Sequence, residues 1–450
     1  MSQLLIIGGS DAGISAALRA REIDPSVNVA VVVADAFPNY SICGLPFYVS
    51  GEVPDWHSLA HRTREEIERE GIRLLLNHTA RAIDSVKKTV EVDDTTGRVQ
   101  SLSYDRLVIA TGAAPIRPPI AGLDLPGVYL LHTMEDSFRI HAHVTERHSQ
   151  SALIVGGGYI GLEMAEALGH LGLKVVLIEA LPHVMPPVDP DIAEHIEKEL
   201  TSRGVELHLE EPVQGFEGNG SVKRVVTGQA GYDVDFVVLA IGVRASSRLA
   251  GEAGVPIGAT GAIQVDASMA TSVPDVYAAG DTAEAHHLVT GRPAYIPLGT
   301  TANKQGRVAG ENAAGGRLSF EGIVGTAITR VFELEVGRTG LTEGQAREAG
   351  FDPVSSVITH RSRAAFFPGS QPITAKLIAD RTSGRLLGAQ VAGKDGAAKR
   401  IDVPAVAIQQ GLPASALPDL DLSYAPPFSP VWEAVQIAAQ DLEKKLVPRG

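Results

Sequence analysis

Cys43 is the only thiol in 450 residues, and it stands in the run Tyr40-Ser41-Ile42-Cys43-Gly44-Leu45-Pro46-Phe47-Tyr48. A thiolate is well suited to nucleophilic and redox chemistry near neutral pH, provided that its surroundings favour the anion. The Gly-Leu-Pro that follows suits a turn or helix start that would present the sulfur. The alternative is a buried cysteine acting as a small hydrophobe. One cysteine excludes an intramolecular disulfide framework, an intrachain dithiol and any cysteine-rich zinc or iron–sulfur site. An oxidised Cys43 must therefore be resolved by an outside thiol or by electrons delivered from elsewhere on the protein.

Two glycine-rich turns offer a second kind of chemistry. Gly8-Gly9-Ser10-Asp11-Ala12-Gly13 lies between an apolar, strand-like run and an alanine-rich helical run. Such a turn sets free N–H groups at a helix N-terminus against a pyrophosphate. Gly8 and Gly13 fill the outer places and Ser10 the middle one; Asp35, 22 residues beyond Gly13, is placed to hold ribose hydroxyls. The second turn is complete, with Gly156, Gly158 and Gly161, and Glu179 closes the next strand. An acid at Glu179 favours a free ribose 2′-hydroxyl, hence NADH. Ala180 to His183 holds no arginine for the 2′-phosphate of NADPH, which stays a second option. Two such units on one chain point to two dinucleotides exchanging electrons. Cys43, eight residues after Asp35, must lie near the first of them.

Positioning these groups takes alternating strands and helices. Both turns sit in strand–turn–helix–strand units, LLIIGGSDAGISAALRARE with VNVAVVVAD and SALIVGGGYIGLEMAEALGHLGLKVVLIEA, an internal duplication offset by 148 residues. The alternation predicts an α/β fold with parallel sheets. Pro115, Pro118 and Pro119 mark a linker without regular structure, and a second break falls at Ala240 to Ser247, around Gly242. After about Gly325, short β-like runs turn at Ser383-Gly384, and an amphipathic helix over Pro430 to Lys445 closes a separate α+β domain.

A net charge of −14 gives no global pull on nucleic acid or anionic lipid. No run nears the roughly 18 apolar residues of a membrane helix, and MSQLLIIGGSDAG lacks the basic start and long apolar stretch of a signal peptide. A soluble, cytoplasmic protein is expected. His286-His287 reads as a surface or domain-contact loop pair with no matching carboxylate, so no metal site is expected. LVPRG, at 446–450, reads as the remnant of a protease-cleavable tag.

Leu107-Val108-Ile109-Ala110-Thr111-Gly112 and Val276-Tyr277-Ala278-Ala279-Gly280-Asp281 are two further strands running into small-residue turns. ATG followed by a late AAGD, around an inserted glycine unit, resembles the flavin-dependent pyridine nucleotide–disulfide oxidoreductases over essentially the whole chain. The resemblance implies two Rossmann-like nucleotide-binding domains, the NAD unit inserted in the FAD domain, plus a C-terminal α+β dimerisation domain. The bounds are then 1–115 and 245–322 for FAD, 116–244 for NAD(H) and 323–445 for dimerisation. It implies that Asp281 faces the ribityl and pyrophosphate region of FAD, with Gly8, Ser10, Gly13, Asp35, Ala110, Thr111, Gly112 and Gly280 nearby. Gly156, Gly158, Gly161, Glu179 and Gly242 complete the cofactor-binding set.

CGLPxY resembles the single-cysteine branch of that family: coenzyme A-disulfide reductase, NADH oxidase and NADH peroxidase. There this cysteine is the redox residue, so electrons would pass from NADH through FAD to an oxidised Cys43. Three positions depart from the pattern. Asp11 stands where the peroxidase has histidine, Ile42 where coenzyme A-disulfide reductase has asparagine, and Phe366-Phe367-Pro368-Gly369 where it has a YYPG-like segment. Tyr424 is kept and would serve the active site of the opposite subunit. Tyr424 to Glu443 contains no histidine, which removes the acid–base dyad of the glutathione- and lipoamide-type enzymes. Arg19, Lys304 and Arg307 are candidates for the phosphates of a coenzyme A-sized substrate. Asp11 has two readings: a charge that raises the Cys43 pKa, or a first-turn helix acid facing solvent. The expectation is a homodimeric, FAD-dependent NAD(P)H:disulfide oxidoreductase acting on a low-molecular-weight disulfide or persulfide, with coenzyme A disulfide leading. An NADH oxidase working through a Cys43 sulfenic acid and a redox-sensing flavoprotein without turnover are the alternatives.

Overall fold

The computed structural model describes residues 2–446; of the expected tag remnant, 447–450 lie outside the described residues. The first parallel sheet runs in the order Val276–Ala278, Arg106–Ile109, Gln3–Ile7, Asn28–Val33 and Ile72–Leu76. Its strands are continuous apolar runs because both faces are covered. The helices Asp11–Ile23 and Gly299–Ala313 cover one face, and the antiparallel meander Thr79–Asp84, Thr89–Asp93 and Val99–Ser103 covers the other.

The second parallel sheet repeats the plan: Glu206–His208, Lys174–Ile178, Ser151–Val155, Phe236–Leu239 and Val128–Tyr129. Helices Tyr159–His170, Pro190–Ser202 and Met134–Arg147 pack on one side, and the meander Val213–Glu217, Arg224–Thr227 and Gly231–Asp233 on the other. The duplication thus extends to both meanders, whose short strands carry no glycine signature.

The proline-rich linker is not without regular structure, as the sequence reading had it. Ala113–Pro115 pairs antiparallel with Val243–Ala245, so the two crossings between the parallel units zip together. Pro115 is tolerated because this is a two-stranded edge ribbon. The C-terminal unit is an antiparallel sheet in the order Ala327–Val331, Leu334–Gly340, Leu386–Gly393, Pro372–Asp380 and Pro353–Arg361. The helix Ala434–Leu446 packs into its core. No helix among the described residues is long and apolar enough to cross a membrane.

Candidate active site

Both glycine turns meet the same backbone requirement. Gly8 has φ +113, and a Cβ on it would fall 2.0 Å from the Ala110 carbonyl oxygen; one on Gly13 would fall 1.9 Å from that of Gly8. Gly156, at φ +105, and Gly161 repeat this against the carbonyls of Ala240 and Gly156. Ser10 and Gly158 are the extended N-caps of Asp11–Ile23 and Tyr159–His170, and neither makes a side-chain cap bond. The first-turn N–H groups are thus left for an anion. Nothing lies within 4 Å of a Cβ on Gly158, so a phosphate has room to approach the backbone.

Around the first turn, Asp35 is half-buried just past Asn28–Val33, and its carboxylate accepts from the Phe37 N–H at 2.9 Å. Burial pushes its pKa up, and Glu135 adds to this against the Phe37 bond. The Thr111 hydroxyl donates to the Ser246 carbonyl at 2.8 Å and lies 3.0 Å from the Thr282 hydroxyl. Gly112, at φ +66, has open space where a Cβ would sit. Gly280 donates its N–H to Gln305 Oε1 at 2.9 Å, while Gln305 Nε2 donates to the Glu284 carbonyl at 3.0 Å. The Asp281 carboxyl is pushed up to about 6, by burial first and Asp11 second, with no protein hydrogen bond lowering it. The nearby Tyr295 hydroxyl is buried without a partner. A desolvated carboxylate short of donors, beside open glycine backbone, fits a hydroxyl-rich ribityl chain and so fits FAD.

In the second unit Glu179 is buried directly after Lys174–Ile178. Its Oε2 accepts from the Gly157 N–H at 2.6 Å and its Oε1 from the Leu181 N–H at 2.9 Å. Gly242, at φ +102, has only the Ile116 side chain near its Cβ position, at 3.7 Å.

Cys43 sits in the short 3-10 turn Ile42–Gly44, ahead of the helix Leu45–Ser50, which has Pro46 in its first turn. The residue is exposed, not a buried hydrophobe. Protein nevertheless closes around it enough that desolvation raises the thiol pKa, and the carboxylates of Glu163, Asp11 and Asp281 raise it further, in that order. Of the two readings of Asp11, the structure supports the charge that opposes the thiolate. Burial raises the pKa of Asp11 as well, against His61 and a hydrogen bond from Asn303. Glu163, on Tyr159–His170, is pushed up to about 7, by burial first; Glu166 adds to this, and the Thr329 hydroxyl opposes it.

The remaining sequence candidates are more scattered. Arg19 already donates to Glu311 at 2.8 and 2.7 Å and to Glu22 at 2.7 Å, so a substrate phosphate would compete with two carboxylates. Lys304 and Arg307 are exposed on Gly299–Ala313, with no ion pair among the described residues. Tyr424 is half exposed on the C-terminal unit, and Phe366, Phe428, Val431 and Trp432 are exposed on that unit too. Of the two readings of His286-His287, His287 fits the domain contact: both lie on the strand Ala285–His287 and not on a loop. His287 is buried, its pKa pushed down to about 4 by burial first and then by Arg338, His286 and Arg385, the two arginines belonging to the C-terminal unit. Glu52, Glu166 and His170 place ligand atoms within 4.8 Å of one another, but the Arg330 guanidinium pairs with both carboxylates.

Sequence reasoning did not single out Glu163, Gln305, Tyr295 or Arg330. The only local signal was for Glu163, an acid within the apolar run YIGLEMAEAL, a helix that otherwise buries its face.

Residues 2–306 match the pyridine nucleotide-disulphide oxidoreductase family model, and residues 326–435 match that family's dimerisation domain. The chain is 38% identical over 443 residues to the NAD(P)H coenzyme A polysulfide/persulfide reductase of Pyrococcus horikoshii, covering 98% of each chain. It is 36% identical over 444 residues to the NADH oxidase of Methanocaldococcus jannaschii, covering 98% of this chain and 99% of that one. Among solved structures it is similar to an NAD-dependent persulfide reductase from A. fulgidus, with a TM-score of 0.96 and 39% identity over 98% of this chain and 83% of the other.

Proposed function

The chain belongs to the pyridine nucleotide–disulfide oxidoreductase family, whose members use FAD and NAD(P)H, and on that premise we propose that it reduces a low-molecular-weight persulfide or disulfide through Cys43. The observation that carries this is the placement of the chain's one thiol. It is exposed, at the start of a helix, and within electrostatic reach of both Asp11 in the first glycine turn and Asp281 in the last. Similarity to persulfide reductases supports coenzyme A persulfide or disulfide as the substrate class.

In this reading FAD supplies the two-electron relay between nicotinamide and sulfur. Gly8, Ser10 and Gly13 offer the N–H groups for its pyrophosphate, Asp35 and Asp281 accept from its hydroxyls, and Ala110, Thr111, Gly112 and Gly280 shape the wall. Residues 1–115 and 245–322 form that domain. Gly156, Gly158, Gly161 and Glu179, within 116–244, hold the second dinucleotide, with Gly242 at the crossing. Residues 323–445 make the homodimer, bringing Tyr424 toward the partner's sulfur site. Lys304 and Arg307, more than Arg19, are free to meet substrate phosphates. A lone reduced thiol suits the cytoplasm. Likeness to an NADH oxidase, together with Phe366 and Phe367 in place of tyrosines, supports O₂ as the second acceptor to be tested.

The test compares the wild-type holoenzyme with Cys43→Ser for NADH consumption on coenzyme A persulfide, coenzyme A disulfide and O₂ in parallel. Turnover on the sulfur substrates should fall at least a hundredfold in the variant, with flavin reduction by NADH kept. Equal rates in the two proteins would overturn the role of the sulfur. Cys43-dependent turnover on O₂ alone would make the oxidase reading the correct one.

A further inference from the structure

Three units of the chain meet on one guanidinium. Arg330 lies on the strand Ala327–Val331, which opens the C-terminal sheet. Its Nη2 donates to both oxygens of Glu52, at 2.8 and 3.0 Å, and lies 2.6 Å from Glu166 Oε1. Glu166 is buried on Tyr159–His170, the helix that begins at the second glycine turn. Glu52 follows Leu45–Ser50, the helix that begins directly after the 3-10 turn of Cys43. Cζ of the same guanidinium stands over the Phe47 ring, 5.6 Å from its centroid.

Phe47 and Glu52 belong to one closed piece of backbone. The helix ends at Gly51, with φ +81, and the chain turns back there. The Val53 N–H and the Ser50 hydroxyl then both donate to the Phe47 carbonyl at 3.0 Å. Ring and carboxylate therefore grip Arg330 as one unit, and Cys43 stands on that unit, four residues before Phe47.

The two sides of this contact depend on Arg330 unequally. Tyr159–His170 is tied to the C-terminal sheet without it. Phe332 donates its N–H to Glu166 Oε2 at 2.8 Å, and the Thr329 hydroxyl donates to Glu163 at 3.3 Å. The Phe332 ring also meets the His170 ring edge-on at 5.8 Å and packs over Gly169, where a Cβ would fall 3.3 Å from it. For 42–53, by contrast, the bonds of Glu52 to Arg330 are the only hydrogen bonds or ion pairs, among the described residues, that reach the C-terminal unit. The rest of its seat lies on the second unit: Leu45 and Val49 are buried there, Tyr48 stacks on His141 at 5.0 Å, and His170 Nδ1 lies 3.7 Å from Glu52. Apolar contact holds a helix to a face without direction, whereas a charged bond to both carboxylate oxygens fixes where along that face it stops.

Resting on the reading of Cys43 as the redox sulfur, we propose that Arg330 is a positioning residue for the half of the reaction that takes place at sulfur. With the helix of the second glycine turn and the C-terminal sheet as its frame, it clasps Phe47 and Glu52 and so fixes the segment that carries Cys43. The nicotinamide half does not depend on the clasp, because the frame holds without it.

Hydrogen exchange followed by mass spectrometry on the flavin-loaded enzyme reads the clasp directly. In Arg330→Gln the amides of 44–53 should exchange about tenfold faster, while those of 159–170 stay within about twofold of wild type. Rapid mixing reads the two halves of the reaction separately. Reduction by NADH should stay within about twofold of wild type, and reoxidation by coenzyme A disulfide or coenzyme A persulfide should slow about ten- to a hundredfold, as for a misplaced reacting atom. Glu52→Gln should move both readouts the same way by a smaller factor, and the double variant should be no worse than Arg330→Gln. Arg330→Lys keeps the charge without the planar fork and should recover part of the lost rate. If Arg330→Gln does not retain flavin, Glu52→Gln decides. Unchanged exchange over 44–53 would overturn the proposal. So would reoxidation at the wild-type rate, or equal slowing of both halves, which marks a merely structural residue. Exchange needs neither substrate nor a reactive sulfur, so turnover that survives Cys43→Ser is distinguishable from a clasp that does not exist.

Discussion

A single carboxylate in the second unit combines two duties. Glu179 anchors the Gly157 and Leu181 amides and also stands where a ribose 2′-hydroxyl would arrive. The charge that welcomes a hydroxyl repels a 2′-phosphate, so the two cofactors should respond in opposite senses when it is removed. Glu179→Gln keeps an acceptor for one amide and loses the anion. Its kcat/KM for NADH should fall about tenfold, the cost of about 1.4 kcal/mol for a weakened charged hydrogen bond. The value for NADPH should hold or rise, and steady-state kinetics with both cofactors checks the ratio. A variant that loses NADH and NADPH activity in equal measure would show that Glu179 serves only the turn. This acid was legible from its spacing after Gly161, whereas Glu163 was not, because what distinguishes it is burial where its helix meets Ala327–Val331, a strand far away in sequence. Arg330 of that strand pairs with Glu52 and Glu166.

Among elements, the contact of Asp11–Ile23 with Gly299–Ala313 sets the first nucleotide turn. A Cβ on Gly306 would lie 2.2 Å from the Ala12 carbonyl oxygen, and one on Gly310 would lie 2.1 Å from that of Ala16. These are backbone atoms that cannot swing aside, so Gly306→Ala must push the first helix off its glycine turn. We expect a loss of about 2–3 kcal/mol and a lower flavin-to-protein absorbance ratio in the purified enzyme. The same substitution at exposed, helical Gly344, whose Cβ would meet only Thr342 Oγ1 at 3.8 Å, should be neutral or stabilising by about 0.5–1 kcal/mol. Thermal unfolding of the two variants side by side checks the contrast. The glycine turns and the strands they follow were readable because their requirement is local: a positive φ, a tight turn, an acid at a fixed distance. The pairing of Ala113–Pro115 with Val243–Ala245 was not, since proline argues locally against a strand and the partner lies on the far side of an inserted domain. His287 was legible as a domain contact but was put on a loop, for a like reason. Next to exposed His286 it looks like a loop residue, and only the strand partner Arg292 and the Arg385 and Arg338 neighbours reveal its burial.

For the whole molecule, one question is what fixes the C-terminal sheet against the second parallel unit. Lys376, buried on Pro372–Asp380, donates to both oxygens of Asp191 at 2.9 Å and lies 2.9 Å from Glu343 and 3.3 Å from Asp189. Asp189 and Asp191 are the N-cap and first turn of Pro190–Ser202, so one lysine joins that helix to the sheet. Asp189 is also bonded both ways to Gln390, and Lys394 to Glu199 at 2.7 Å and Arg203 to Glu333 at 2.5 Å continue the seam. Burial works against the Lys376 cation, but the bonds to Asp191 and Glu343 and the charge of Asp189 outweigh it and hold the pKa above its ordinary value. Removing the cation strands carboxylates, Asp189 among them, in a buried seam, which costs more than the pair itself contributes. Lys376→Met, close in volume, should therefore destabilise by about 3–5 kcal/mol and separate the melting of the C-terminal unit from the rest in calorimetry. Since the folded pKa lies above that of the unfolded chain, the stabilisation is whole below about pH 10 and fades only as pH rises through the folded value. The deficit of the variant should then be constant from about pH 6 to 9. A single unshifted transition would show that apolar packing alone holds the two units, and a deficit shrinking toward pH 6 would point to the stranded carboxylates rather than the lysine as the titrating partners.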